Sequence, residues 1–156
     1  MKKKLKLKPV LLITLLVLVG IQFIPTDFNQ SDELLPSDIS VAYAVATPKE
    51  VTTILQTSCY DCHSNNTVYP WYNKVQPVAW LLNNHIEEGK DELNFSEFTS
   101  YSTRRQKSKL KSIISQIEDE EMPLTSYTLI HSDAILTEND KKSLINWAEK
   151  LREILK

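Results

Sequence analysis

Glycine and cysteine are both scarce in this chain of 156 residues, and each scarcity excludes a class of structure. Only Gly20 and Gly89 occur, which disfavours a glycine-rich phosphate-binding loop and most β architectures that depend on tight turns. Both cysteines, Cys59 and Cys62, belong to one short motif, so no other disulfide is available to stabilise the fold. The formal net charge of -2 gives the chain no general attraction to nucleic acid or to anionic lipid.

The amino terminus has the composition of an export signal. Five lysines among the first eight residues precede an uncharged, mostly aliphatic stretch from Val10 to Ile24. This pattern is typical of a signal peptide or of a single membrane anchor whose lysines stay in the cytoplasm. No small residues suited to cleavage follow closely, because the stretch ends in Gln22-Phe23-Ile24-Pro25. We therefore predict an uncleaved anchor over residues 1–25, with a removed signal peptide as the alternative.

The rest of the chain divides into a linker and one small domain. Residues 26–46 contain Pro36 and show no helical periodicity, so they are predicted as a linker that holds the domain away from the membrane. The domain is predicted over residues 47–156. Its first helix begins with a capping box, in which Thr47 is the cap, Pro48 takes the first helical position and Glu50 takes the third.

Hydrophobic residues at helical spacing predict four helices in this domain, and no segment alternates as a strand would. The first helix leads into the cysteines, and the second follows Pro77 and is stopped by Gly89. The third runs from about Thr103 to Glu120, and the fourth opens at Thr137. The predicted buried faces are Val51, Ile54 and Leu55; Trp80, Leu81, Asn84 and His85; Leu110, Ile113, Ile114 and Ile117; and Leu144, Trp147, Ala148 and Leu151 with Ile154 or Leu155. The predicted fold class is all-α.

The most informative feature is the segment Cys59-Tyr60-Asp61-Cys62-His63. C-x-x-C-H is the attachment sequence of a c-type haem, in which two thiols one helical turn apart form thioethers with the porphyrin. The histidine that follows lies under the ring and can donate an imidazole nitrogen to the iron. The motif therefore predicts one covalent haem c per chain, held by Cys59 and Cys62, with His63 as an iron ligand. Export agrees with this, because bacteria attach haem to such motifs outside the inner membrane.

Two other chemistries can use the same residues. A zinc site would take Cys59, Cys62 and His63 together with a fourth ligand from His85 or His131, although two adjacent residues would strain to reach one tetrahedral ion. A plain disulfide between the two cysteines is the other alternative. A thioredoxin-like redox pair is disfavoured, because the flanking sequence does not provide a βαβ setting.

A second iron ligand is predicted at Met122. It is the only methionine besides the initiator, and Pro123 directly after it prevents the third helix from continuing. A thioether on such a non-helical segment can lie across the haem face from His63, and His/Met ligation suits an electron carrier. His85 on the second helix is the alternative sixth ligand.

Aromatic residues shortly after the motif are candidates for binding the haem propionates. Trp71 and Tyr72 follow Pro70 in a rigid loop, and their N–H and O–H groups can donate hydrogen bonds. Simple packing around the ring explains these two residues equally well. The Pro70 carbonyl oxygen is a candidate acceptor for the second ring nitrogen of His63, which would orient the imidazole.

A C-x-x-C-H motif after a first helix, a late Met-Pro and a C-terminal amphipathic helix resemble class I cytochrome c. More closely, the segments 59–65, 69–72, 85–90 and 93–96 are similar to the bacterial haem-binding domain family. The resemblance covers roughly residues 46–155 and implies a small, exported, cytochrome c-like fold. It also implies covalent haem through Cys59, Cys62 and His63, and it carries Met122 over by its Met-Pro context. The first helix lacks the glycines that let the first and last helices of cytochrome c cross closely.

These features together predict a c-type cytochrome that carries single electrons and is not an enzyme. It would be anchored in the bacterial inner membrane with its domain in the periplasm, where it would meet redox proteins and no nucleic acid. Two filled axial positions would leave no open site for a substrate. The alternatives are a haem sensor or peroxidase-like protein in which Met122 is displaceable, and a zinc-stapled interaction module.

Overall fold

The computed structural model describes residues 7–31, 38–44 and 46–155, and all regular structure in these ranges is helical. The α-helices are α1 (Leu7–Ile21), α2 (Ile39–Ala42), α3 (Lys49–Ser58), α4 (Tyr60–His63), α5 (Val78–Glu92), α6 (Thr103–Glu118), α7 (Thr125–Thr128) and α8 (Glu138–Ile154). Short 3-10 helices cover Trp71–Lys74, Phe95–Ser100 and Ser132–Ala134. The predicted all-α class is confirmed, since no strand occurs in the described ranges.

α1 is an apolar helix with no residue buried against the rest of the chain. Within the part of the chain that the structure describes, no helix combines the length and the apolar character needed to cross a membrane. The predicted basic cluster falls mostly on positions 2, 3, 4 and 6, which lie outside the described residues. The N-terminal anchor therefore stays a prediction.

The core forms where α8 packs against both α3 and α6, because each of these helices carries an apolar stripe at helical spacing. The stripes predicted for α6 and α8 are confirmed, and Leu110 and Leu144 within them are completely buried. At the carboxyl end Leu155 is buried and Ile154 is exposed, which decides between these two candidates. Each fully buried aliphatic side chain contributes about 1.5–3 kcal/mol, so this three-helix contact supplies much of the stability.

The capping box predicted at the start of α3 is wrong. α3 begins at Lys49 after Pro48, and no side chain caps it. Thr47 instead accepts a hydrogen bond through Oγ1 from Nε1 of the buried Trp147, 3.1 Å away. A buried indole N–H needs an acceptor, and this demand outweighs the local cap. The same bond joins the entry of α3 to α8, so the first and last helices of the predicted domain pack together without a glycine.

The capping box predicted at the fourth helix is confirmed at α8. The Thr137 side chain accepts a hydrogen bond from Asp140 N at 3.2 Å, and the Asp140 carboxylate accepts one from Thr137 N at 2.8 Å. All of the partners lie within four residues, so this cap depends on local sequence alone.

α5 runs further than the predicted second helix. It begins after Pro77, as expected, but continues through Gly89 to Glu92. The prediction that Gly89 stops the helix is therefore wrong. Gly89 has no positive φ and lies inside the helix, where its missing side chain permits a close contact with the cysteine motif.

The buried face of α5 also differs from the predicted one. Trp80 and Leu81 were expected to point inward, but they are 36% and 56% exposed. The buried residues of this helix are Ala79 and Ile86.

Part of the predicted linker lies against the domain. The Asn29 side chain donates hydrogen bonds to the Ser64 carbonyl at 2.8 Å and to Thr67 Oγ1 at 2.9 Å. The Asn29 backbone N–H also donates to the Tyr69 hydroxyl at 2.7 Å. Further along, Ile39 in α2 is completely buried in the core. The domain boundaries at residues 25 and 46 stay a prediction, but segments 22–31 and 38–44 contribute contacts to the folded part.

Candidate functional site

The cysteine motif forms the joint between two helices. Cys59 ends α3, and Cys62 and His63 lie in the short helix α4 that follows it. The two thiols are not joined in a disulfide. α4 packs against α5, so the orientation of the motif depends on a helix that comes about 15 residues later in the chain.

His63 is held in place through one of its ring nitrogens. Its Nδ1 atom lies 2.8 Å from the Gly89 carbonyl oxygen and 3.0 Å from the Leu93 carbonyl oxygen. Because a carbonyl oxygen can only accept, Nδ1 carries the proton and donates to both, which leaves the lone pair on Nε2. Burial lowers the pKa of His63, so the imidazole is neutral near neutral pH. A neutral imidazole with a free Nε2 is the form that binds a metal ion.

The predicted orienting group for His63 was the Pro70 carbonyl, and this prediction is wrong. The carbonyls that take that role belong to Gly89 and Leu93, at the carboxyl end of α5. The Gly89 carbonyl also accepts the backbone hydrogen bond from Leu93 N at 2.9 Å, so His63 uses its second lone pair, whereas the Leu93 carbonyl belongs to the residue that caps the helix. Because the second helix was predicted to stop at Gly89, its last turn and the two carbonyls that accept from His63 could not be predicted from the sequence.

Gly89 brings the backbone of α5 into contact with the backbone of the motif. A Cβ atom at this position would lie 2.7 Å from the Cys62 carbonyl oxygen and 3.2 Å from the Cys62 Cβ. The first distance is shorter than Cβ atoms show in real structures and the obstructing atom belongs to the backbone, so only glycine allows α4 and α5 to approach as they do. One residue therefore sets both the helix contact and, through its carbonyl, the direction of His63.

An apolar cavity in two lobes opens beside the motif. The first lobe has a volume of about 330 Å³ and the second about 350 Å³. Both lobes are lined by Ser58, Cys59, His63, Glu92, Met122 and Pro123. Leu55, Phe95, Ile113 and Leu144 give the first lobe its apolar walls, and Cys62 borders the second. Cavities of this size and character are typical of sites for small organic ligands and cofactors.

The environment of the two thiols favours their protonated form. Burial raises the pKa of Cys59 to about 12, with a further contribution from Cys62. Burial also raises the pKa of Cys62 to about 11, and the neighbouring Asp61 adds to this effect. Catalytic thiols have lowered pKa values instead, so the site does not resemble a disulfide-exchange centre. Reduced, neutral thiols are compatible with covalent attachment of a porphyrin.

Met122 reaches the cavity because the chain reverses direction at the end of α6. Glu120 has a φ of 58°, the left-handed conformation that often ends a helix. The backbone N–H groups of Glu121 and Met122 then donate to the Gln116 carbonyl at 2.9 and 3.2 Å. This turn carries Met122 back to line both lobes together with His63. Its assignment as an iron ligand stays a prediction, and its position is compatible with it.

Of the other predicted site residues, His85 borders the cavity, whereas Tyr72 and Trp71 do not. His85 borders the second lobe together with Met122. Tyr72 borders neither lobe, and its hydroxyl forms a 2.7 Å hydrogen bond with His131 Nε2. Trp71 also borders neither lobe, and its ring contacts that of Tyr72 while remaining 78% exposed. A propionate role for Trp71 and Tyr72 stays a prediction that no contact to the cavity supports.

Two residues that the sequence reasoning missed belong to this site. Lys109 lines the first lobe, and its Nζ atom lies 3.2 Å from the Glu92 carboxylate. A sequence signal for Lys109 does exist: it lies one turn before Ile113 on α6, so it shares the helical face that lines the cavity. Lys109 is therefore a candidate partner for a carboxylate group of a bound cofactor.

Asp61, the second residue between the cysteines, fixes the outer side of the motif. Its carboxylate accepts a hydrogen bond from the Tyr127 hydroxyl at 2.7 Å and another from Val68 N at 2.9 Å. Its carbonyl accepts from Thr67 Oγ1 at 2.6 Å. No short-range pattern links Asp61 to Tyr127, so nothing in the sequence alone would have found this pair.

The fold and the site define a class of protein, a small helical domain with an apolar cavity beside two cysteines and a histidine. The sequence profile of the haem-binding domain family matches residues 16–150, and this chain belongs to that family. The resemblance read from four short segments is thereby confirmed, and haem is the supported cofactor. Neither the curated proteins nor the solved structures give a match. The matched region begins well before Thr47 and includes the segment around Asn29 that contacts the motif loop.

Proposed function

We propose that this haem-binding domain is a c-type cytochrome that carries single electrons. The observation on which the proposal rests is the shared cavity of the Cys59 thiol and the His63 imidazole, whose Nδ1 atom is already engaged. Cys62 borders the adjoining lobe. Cys59 and Cys62 would hold the porphyrin by thioethers, and His63 would bind the iron through Nε2. Bound haem supplies a one-electron couple.

Residues around the cavity would set the reduction potential of that couple, through the hydrogen bonds of His63 and the polarity of the walls. The carbonyls of Gly89 and Leu93 fix the plane of the His63 ring and increase the basicity of Nε2. The apolar walls exclude water from the cavity and lower its dielectric constant. Lys109 lines the first lobe in an ion pair with Glu92, and it would bind a propionate by sharing or exchanging that partner.

Met122 is the proposed sixth ligand and His85 is the alternative. Both border the second lobe, but Met122 also borders the first, where Cys59 and His63 meet the apolar walls. A thioether ligand favours the reduced iron and raises the reduction potential relative to a second imidazole. With both axial positions filled, no open position remains for a substrate, which favours a carrier over an enzyme.

A second candidate function is a haem sensor or peroxidase-like protein. The observation in its favour is that Met122 lies on a non-helical segment two residues after Glu120, whose φ is 58°, so that a ligand there can be displaced without unfolding a helix. A zinc-stapled module has less support. Among the described residues, no group of three or more His, Cys, Asp or Glu side chains is arranged to hold a metal ion.

We further propose that the N-terminal segment holds the domain at the periplasmic face of the inner membrane. The five N-terminal lysines, the exposed apolar side chains of α1 and the chemistry of haem attachment all support this location. Exposed aliphatic side chains in such number are stable only in contact with lipid or with another apolar surface.

The test is a pyridine haemochrome spectrum of the full chain, produced together with haem attachment machinery. We expect a spectrum of two thioethers and a polypeptide mass increased by one haem. Cys62→Ala should leave one thioether, and Ser58→Ala, at a position that lines both lobes, should leave two. A native polypeptide without added haem mass would refute the proposal.

The sixth ligand is tested by comparing Met122→Ala with His85→Ala. We expect only Met122→Ala to remove the weak red absorbance of the sulfur–iron bond and to admit carbon monoxide rapidly into the reduced protein. Rapid carbon monoxide binding by the unmodified protein would favour a haem sensor or peroxidase-like protein over an electron carrier. Loss of the sulfur band in neither variant would show that Met122 is not the ligand.

A further inference from the structure

The carboxyl end of α1 is joined directly to the domain. Gln22, the first residue after α1, accepts a hydrogen bond from Gln76 N at 3.0 Å and donates one to the Gln76 carbonyl at 3.1 Å. The Gln76 side chain in turn donates to the Ile24 carbonyl at 3.4 Å. Gln76 is buried by these contacts. Whatever surface α1 enters therefore lies next to the turn at Gln76.

The residues around this junction are apolar and exposed. We call this surface the Gln76 rim, and it consists of the large hydrophobic side chains that are exposed within five positions of Gln76, namely Trp71, Val75, Val78, Trp80 and Leu81. Two of the three tryptophans of the chain belong to it, and the third, Trp147, is buried in the core. Exposed tryptophan is typical of the boundary between lipid and water, where its amphipathic ring is stable.

The charge of this region also suits a lipid surface. No aspartate or glutamate occurs from residue 62 to residue 86, although the chain contains 20 acidic residues in total. Lys74, which is exposed, is the only lysine or arginine in that stretch. A stretch without carboxylates neither repels anionic head groups nor requires a negative charge of its own to be desolvated at the membrane.

We infer that the Gln76 rim rests on the lipid surface from which α1 emerges. The domain then has one fixed orientation on the membrane, set by the Gln22–Gln76 hydrogen bonds, instead of moving freely on a tether. This inference rests on the proposed membrane anchoring by α1, and it goes beyond that proposal by naming the face of the domain that contacts lipid. It also explains why the bulky residues predicted to lie inside α5 are at the surface.

Lipid photocrosslinking in the full chain tests this orientation. The protein is reconstituted in vesicles of phosphatidylethanolamine and phosphatidylglycerol, with p-benzoylphenylalanine at Leu81 in one sample and at Ile154 in another. These positions are matched in exposure, because Leu81 is 56% exposed and Ile154 is 55% exposed, and Ile154 ends α8, which contributes no residue to the Gln76 rim. After irradiation, lipid adducts are counted by mass spectrometry. Vesicle flotation measures membrane association separately in the same samples.

We expect both proteins to float with the vesicles and adducts to be several-fold more abundant at Leu81 than at Ile154. The same photoreactive residue at Val78 should give adducts as Leu81 does. Flotation with equal or negligible adducts at both positions would overturn the orientation and leave the anchored cytochrome intact. Failure of the full chain to float would overturn the anchor, and the inference with it.

Discussion

Replacing Gly89 by alanine should damage the site, because one methyl group would collide with the backbone of the cysteine motif. The new Cβ would lie 2.7 Å from the Cys62 carbonyl oxygen. Carbon and oxygen atoms in proteins approach to about 3.3 Å, so α4 or α5 must move by roughly 0.6 Å. The obstructing atom belongs to a backbone, so no side-chain rotation relieves the contact.

Two opposing terms set the expected loss of stability. Overpacking of this kind costs about 1–3 kcal/mol, whereas the better helix propensity of alanine offsets about 0.8–1 kcal/mol of it. We expect the free energy of unfolding to fall by about 1 kcal/mol, which corresponds to a Tm lower by roughly 2–4 °C for a chain of this size. The same displacement should alter the two carbonyl hydrogen bonds of His63, and with them the visible spectrum of the haem-loaded protein.

The assay is thermal unfolding of the haem-loaded full chain together with its visible spectrum. Gly20→Ala is the matched control, since Gly20 also lies in a helix but a Cβ there meets no atom within 4 Å. The control should unfold at the same temperature as the unmodified protein or above it. If Gly89→Ala proves equally stable and keeps an unchanged spectrum, the close contact between α4 and α5 does not limit the structure as argued.

Three further predictions concern the elements around the cavity. Thr137→Ala removes the α8 cap and should lower the free energy of unfolding by about 1 kcal/mol in urea titrations, while Thr137→Ser should restore most of it. Tyr127→Phe deletes the hydrogen bond to the Asp61 carboxylate and should cost about 1–2 kcal/mol in the same titration; an unchanged midpoint would mean that water replaces the hydroxyl without loss. Glu120→Gly should raise the Tm, because glycine adopts the φ of 58° without strain and the exposed ion pair with Lys141 contributes little. Glu120→Ala is its control, which loses the ion pair, keeps the strain and should not be more stable.

Helix features that depend on neighbours within a turn were predicted correctly, and those that depend on residues far away in the sequence were not. The stripes of α6 and α8 were predictable because a helix buries residues three and four apart, whatever covers them. The cap at Thr137 was predictable because its partners lie within one turn. The cap at Thr47 was not, since its hydroxyl is taken by an indole that lies 100 residues away in the sequence.

In the candidate site, too, local features were predictable from the sequence and long-range contacts were not. The motif itself could be read at once, because its chemistry is contained in five consecutive residues. The partners of His63 could not, because they depend on where α5 ends and how closely it approaches α4. Lys109 and Asp61 were missed for a similar reason, since their roles follow from a cavity and a hydrogen bond that only packing creates.

The amino-acid sequence by itself determined the cysteine–histidine motif, the helical class and the apolar faces of α3, α6 and α8, since these follow from neighbours within a turn or two. The tertiary structure alone decided what orients the imidazole, why glycine stands at residue 89 and how the segment after α1 attaches to Gln76. The physical reason is that each of these depends on backbone groups far apart in the chain, whose hydrogen bonds and close contacts exist only once the helices have packed.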